Sequence, residues 1–231
     1  MLICLRTFVP SRTNLFLALA ATALLAAPAA HAQFGAPPAG TVVHDPSALR
    51  PPAKARVAMV EFEDLECPDC ARANPVVREA AEKYKIPLIR HDFPLPFHAW
   101  SFQAAVNARW FDTKSKAVGD EYRDQVFANQ QSITGLDMLA RFTQEFAQKH
   151  GIALPFALDP QGKLASDVKA DYALGQRIGI EHTPTIWVVT ANSKGAPFVE
   201  VVDRTKLYQL IDQALADTAA SKPAVHKAAD K

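Results

Sequence analysis

Cys67-Pro68-Asp69-Cys70 puts two thiols three positions apart, and apart from Cys4 these are the only cysteines in the chain. Such a pair could form a reversible disulfide, half of a metal site, or an inert structural staple. The setting separates these options. The apolar run RVAMVEFED at residues 56–64 reads as a buried strand, and from residue 68 small and apolar side chains recur at helical spacing, so the pair falls where a strand becomes a helix. A helix N-terminus exposes unpaired N–H groups and the positive end of the macrodipole, so Cys67 should ionise more readily than a free thiol. That makes Cys67 the nucleophile. Cys70, one turn into the helix, becomes the covered thiol that resolves a mixed disulfide.

Glu61 precedes Cys67 by six residues and shares a strand face with Val57 and Met59. If that face is buried, so is the carboxylate, and burial raises its pKa into a range suited to proton exchange with Cys70. The alternative for Glu61 is a plain ion pair with a Lys or Arg. Glu63 and Glu66 read as ordinary solvated acids. A metal site would use Cys67, Cys70 and either His182 or His91, yet structural zinc normally takes four ligands and the chain has no second C-x-x-C. No cofactor or metal is expected. A purely structural disulfide is disfavoured because so short a loop constrains the unfolded chain little.

Several elements must position this pair. Pro68 suits the first helical turn, where its missing N–H costs nothing, and Pro75 should kink the helix that runs to about residue 85. Residues 86–93 form a second candidate strand. Residues 97–178 then lack strand signals and read as a helical block, with helices near 99–111 and 120–129, one opened by Thr134 and Asp137 and closed at Gly151, and one led by Asp159-Pro160. TIWVVT at 185–190 and PFVEVV at 197–202 are spaced as an antiparallel hairpin, and Asp203 caps a final amphipathic helix. The order is β-α-β, helical block, β-β-α.

The ends of the chain bear on the compartment. Arg6 and Arg12, the apolar run at 15–27 and Ala30-His31-Ala32 have the shape of a secretory signal cleaved after Ala32, giving residues 1–32 as signal peptide. Residues 33–55 read as a Pro/Ala-rich linker in which TVV at 41–43 could add an edge strand, and residues 218–231 as a disordered tail. Export implies an oxidising, periplasmic setting in which a close cysteine pair can be a disulfide. With 25 Lys and Arg against 24 Asp and Glu, the chain lacks the basic excess that a nucleic-acid partner calls for.

The dithiol after a buried strand, the helical block, and Thr183-Pro184 ahead of a hairpin and terminal helix together resemble the DsbA-like branch of the thioredoxin superfamily over residues 55–217. The resemblance implies an α/β, thioredoxin-like fold with an inserted all-helical subdomain at 97–178. It also implies a protein thiol:disulfide oxidoreductase, most simply a disulfide donor, with reductase or isomerase as the alternative directions. Pro75 matches the superfamily's helix-kinking proline. Thr183-Pro184 matches its cis-proline dipeptide, which implies that Pro184 packs beside the dithiol and that the Thr183 backbone pairs with a bound substrate strand. Glu61 stands where DsbA-like proteins carry an acid under the site. Implied partners are cysteine-containing exported proteins and a membrane redox partner that resets the dithiol. The leader is too short for the dimerisation domain of the superfamily's isomerases, so a monomer is expected. Asp69 departs from the CPHC of strongly oxidising relatives. A carboxylate there should repel the thiolate, giving a higher Cys67 pKa and a less oxidising couple than in those relatives, with His182 a candidate to offset it. His91 and His98, bracketing FPLPF, are expected to be structural.

Overall fold

The computed structural model describes residues 40–191 and 195–219; the signal segment, Cys4 and the tail beyond Ala219 lie outside the described residues. A four-stranded sheet in the order β2-β1-β3-β4 is built from β1 (Val57–Glu63), β2 (Leu88–Asp92), β3 (Thr185–Thr190) and β4 (Phe198–Glu200). β1 runs parallel to β2 and antiparallel to β3, and β3 pairs antiparallel with β4 as the hairpin spacing requires. The helices are α1 (Pro68–Tyr84), α2 (Ser101–Asp112), α3 (Lys116–Asn129), α4 (Leu136–Lys149), α5 (Lys163–Ile178) and α6 (Leu207–Ala219). α1 continues through Pro75.

β1 is buried along its whole length because both of its faces are covered. Val57 and Met59 pack with Ile186 and Val188 of β3 against α1 and α6, where Val77, Leu207 and Ile211 complete the layer. Ala58, Val60 and Phe62 point the other way, onto Trp187 of β3 and Ile178 of α5. The helical block carries its own core around Phe111, Tyr122, Leu139 and Phe146, and this core is continuous with Leu65, Cys67 and Cys70. The dithiol therefore lies at the seam where the inserted helices meet the end of the central strand.

Several boundaries differ from the sequence expectation. α5 begins at Lys163, since Pro160 to Gly162 form a turn with Gly162 at φ +70°, and Asp159 still caps by accepting the Ala165 N–H at 2.8 Å. α4 opens at Gly135 without a side-chain cap, so the Thr134/Asp137 capping signal is unused. The described part of the leader adds no strand. It lies against the body, with the His44 N–H donating to the Ile178 carbonyl at 2.8 Å and Leu49 buried in the core around Trp187. Gly179 makes this docking possible: at φ +103° it closes α5, and a Cβ there would sit 2.5 Å from the Val42 carbonyl. At the other end α6 extends to Ala219, two residues past the expected limit.

Candidate active site

Cys67 is the N-cap of α1, in extended conformation, with Pro68 in the first turn. The loop that presents it is held from three sides. The Asp64 carboxylate is buried and accepts the N–H groups of Glu66 (2.7 Å) and Leu95 (2.7 Å), and it pairs with His98 Nδ1 at 2.7 Å. Glu66 Oε2 accepts the N–H groups of Trp100 and Ser101 at 2.6 and 2.9 Å, which caps α2 and ties it to the loop. Gln130, at the end of α3, donates to the carbonyls of Leu65 and Cys67 at 2.8 and 3.0 Å. Glu66 is thus a cap, where the sequence suggested a solvated acid. The structural role expected of His98 fits this contact, as His91 fits its 2.9 Å contact with Asp171.

The two sulfurs differ in the way exchange chemistry requires. Cys67 is 7% exposed and Cys70 is fully covered. The Cys67 thiolate is stabilised first by the Cys70 thiol, then by the Thr183 hydroxyl and the N–H groups of Cys70 and Asp69, and these outweigh the cost of burial to hold its pKa at about 5. Cys70 is pushed well above the ordinary thiol value, chiefly by burial and then by the neighbouring Cys67, with the Glu61 charge adding to the effect. Thr183-Pro184 is cis, and the Thr183 carbonyl lies 3.3 Å from the Cys67 Sγ, so the dipeptide packs directly beside the sulfur.

Asp69 is not a bare charge. Its carboxylate is engaged by both terminal nitrogens of Arg204, at 2.7 and 2.9 Å, and by Arg72 at 3.1 Å, and Arg204 above all holds its pKa below the ordinary value. A paired carboxylate exerts little field on its neighbour, and the Cys67 pKa lies below the ordinary thiol value with Asp69 in place. His182 is exposed and lines the cleft of about 430 Å³ that also has Pro184 and Arg204 in its walls. Pro68, Ala71, Trp100, Phe127 and Ile133 line a second groove of about 600 Å³. Trp100 and Phe127 thus belong to the helical-block core and also reach the wall of this groove.

Beneath the dithiol lies a charged layer that sequence reading missed in part. Glu61 is 1% exposed and its pKa is raised to about 8, mainly by burial and then by Glu63, against the opposing pull of Arg90. Glu63 is 2% exposed and raised for the same leading reason, so it too departs from the solvated acid expected. Arg90 of β2 stands 4.0 Å from Glu61 and 3.5 Å from Glu63, and Arg123 of α3 stands 3.5 Å from Glu63. The ion pair weighed for Glu61 therefore exists, and the cost of burying the carboxylate outweighs it. Strand alternation places Glu63 on the Glu61 face, but nothing local to β1 reveals that an arginine from the helical block reaches it. Among the described residues, no group of three His, Cys, Asp or Glu side chains could hold a metal ion.

The thioredoxin family model matches residues 52–204, more than half of the chain, and the chain belongs to that family. Its fold is DsbA-like: crystal structures of Wolbachia pipientis alpha-DsbA1 (16% identity, TM-score 0.60, 74% of this chain and 92% of that one) and of alpha-DsbA2 from the same organism (18%, 0.56, 71% and 84%) superpose on it. A curated relative, the Na(+)/H(+) antiporter NhaA 3 of Salinispora tropica, is 28% identical over 152 residues. The match takes in 61% of this chain and spans about a fifth, 21%, of that protein.

Proposed function

We propose that this chain is a protein thiol:disulfide oxidoreductase that donates the Cys67–Cys70 disulfide to cysteines of exported proteins. The carrying observation is the asymmetry of the pair, with a Cys67 pKa of about 5 at a helix N-terminus over a Cys70 pushed far above it. The alpha-DsbA2 relative is described as a thiol-disulfide exchange protein, which supports the same chemistry here. Export rests on the leader, and no helix among the described residues is long and apolar enough to cross a membrane.

In this reading a client thiolate attacks Cys67 Sγ, the Cys67–Cys70 bond breaks, and Cys70 leaves with the electron pair and takes up one proton. The mixed disulfide is then broken by the client's second thiolate, which attacks the client sulfur and expels Cys67. The client loses two electrons and the dithiol gains them. A low leaving-group pKa speeds this second step and stabilises the reduced product, so the low Cys67 pKa favours donation. Glu61, whose charge acts on Cys70, would supply or accept the Cys70 proton. Pro184 and the Thr183 backbone form the wall against which an extended client would lie, and a membrane redox partner would reoxidise the pair.

Equilibration with glutathione tests the direction. The couple is expected well above the roughly −270 mV of thioredoxin and toward the roughly −120 mV of DsbA. A couple at the thioredoxin value would reassign the protein as a reductase or isomerase.

A further inference from the structure

Arg204 is 135 positions from Asp69 in the chain, yet its guanidinium is seated on that carboxylate with two hydrogen bonds, 2.7 and 2.9 Å long. It begins the turn that Asp203 caps ahead of α6, and it stands in the cleft wall with Pro184. Resting on the redox reading above, we propose that Arg204 is the tuning residue of the dithiol. It cancels the Asp69 charge and turns a cation toward the Cys67 sulfur, the service that a histidine inside the C-x-x-C motif would otherwise perform.

The other charged groups around the sulfur do not offer this. On α1, Arg72 also touches Asp69, but its side chain is 68% exposed, so water screens it. Asp203 is occupied by the N–H and hydroxyl of Thr205 and lies 4.0 Å from Lys206. His182 is exposed on the cleft wall. Cys70 steadies the thiolate through its thiol proton but carries no positive charge, and neither does Glu61. Arg204 alone combines a bidentate geometry with partial burial, and the fields of both cysteines act on it.

The pairing makes a prediction with opposite signs at its two ends. Arg204→Gln leaves the Asp69 carboxylate bare beside the sulfur and should raise the proton affinity of the Cys67 thiolate about tenfold, which is ~30 mV toward the reducing side. Asp69→Asn leaves the Arg204 cation unpaired and should lower that affinity by about threefold or more. The double variant should return to within about threefold of the parent, and Arg204→Lys, which keeps the charge but gives up the two-pronged contact, should fall between the parent and Arg204→Gln. The readout is the pH titration of the Cys67 thiolate in the reduced protein, followed by the glutathione equilibrium for each variant. Shifts of the same sign for Arg204→Gln and Asp69→Asn, or no shift in either, would overturn the assignment and leave the pair a structural tether. If Arg204→Gln does not fold, Asp69→Asn and Arg204→Lys still carry opposite expectations: a lowered and a modestly raised proton affinity. Because the titration is read on reduced protein, failure of this pairing is distinguishable from failure of the parent to exchange disulfides.

Discussion

Cys70→Ser is expected to abolish disulfide donation and to leave Cys67 captured in mixed disulfides. Without the second thiol no intramolecular disulfide can be stored, so catalytic oxidation of a dithiol peptide should fall on the order of a thousandfold or more, the scale lost when a well-oriented internal group gives way to dilute external thiol. Cys67 stays ionised at neutral pH and still attacks a disulfide-bearing client, but nothing in the protein releases the product. Cys67→Ser should lose the same activity and capture nothing, because the remaining sulfur is fully covered and its pKa is raised. Non-reducing electrophoresis of each variant mixed with a disulfide-bearing peptide separates the two outcomes. A structural disulfide predicts a different pair of results: equal loss of stability in both variants and adducts in neither.

Glu61→Gln is expected to stabilise the fold while slowing exchange. The carboxyl has an ordinary value of 4.5 and a folded value of about 8, so the native state binds its proton more tightly than the unfolded chain does. Stability from this group is therefore complete below pH 4.5 and is lost as the pH rises through the window to about 8. Glutamine does not ionise, so the variant should match the parent near the acid end and exceed it by a few kcal/mol, on the order of 3, above pH 8. Denaturant unfolding at several pH values measures this. Arg90 keeps Glu63, Asp120 and Asp124 as partners, so the substitution does not strand a buried cation. Exchange should slow by about a hundredfold if Glu61 carries the Cys70 proton. An exchange rate equal to the parent's would remove Glu61 from the proton path and leave it a buried ion-pair partner.

The division between what sequence revealed and what it hid follows the range of the interactions. The strand-to-helix junction at Cys67, the hairpin after Thr183-Pro184 and the amphipathic α6 are written in local periodicity and caps, and they were legible for that reason. Glu61 was legible as a buried group because it alternates with Val57 and Met59. Glu63 was not, because its burial depends on Arg90 and Arg123, which arrive from β2 and α3. The partner of Asp69 was hidden for the same cause: the local sequence shows a carboxylate two residues from a thiolate, and only the folded chain shows the arginine that pairs with it. Glu66 and Gln130 have no local signature either, since each acts on backbone groups of a distant segment. The leader residues from Val43 to Leu49 pack on the sheet through scattered apolar side chains that show no period.

The account stands on Cys67 being a thiolate at neutral pH, and a pH titration of thiolate absorbance in the reduced protein tests that directly, with Cys67→Ser as the blank. A single transition near pH 5 that disappears in the variant is the expected result. A transition near the free thiol's ~8.5 would contradict it, since the helix N-terminus and the Cys70 thiol would then not be stabilising the sulfur and the case for a disulfide donor would fall with them.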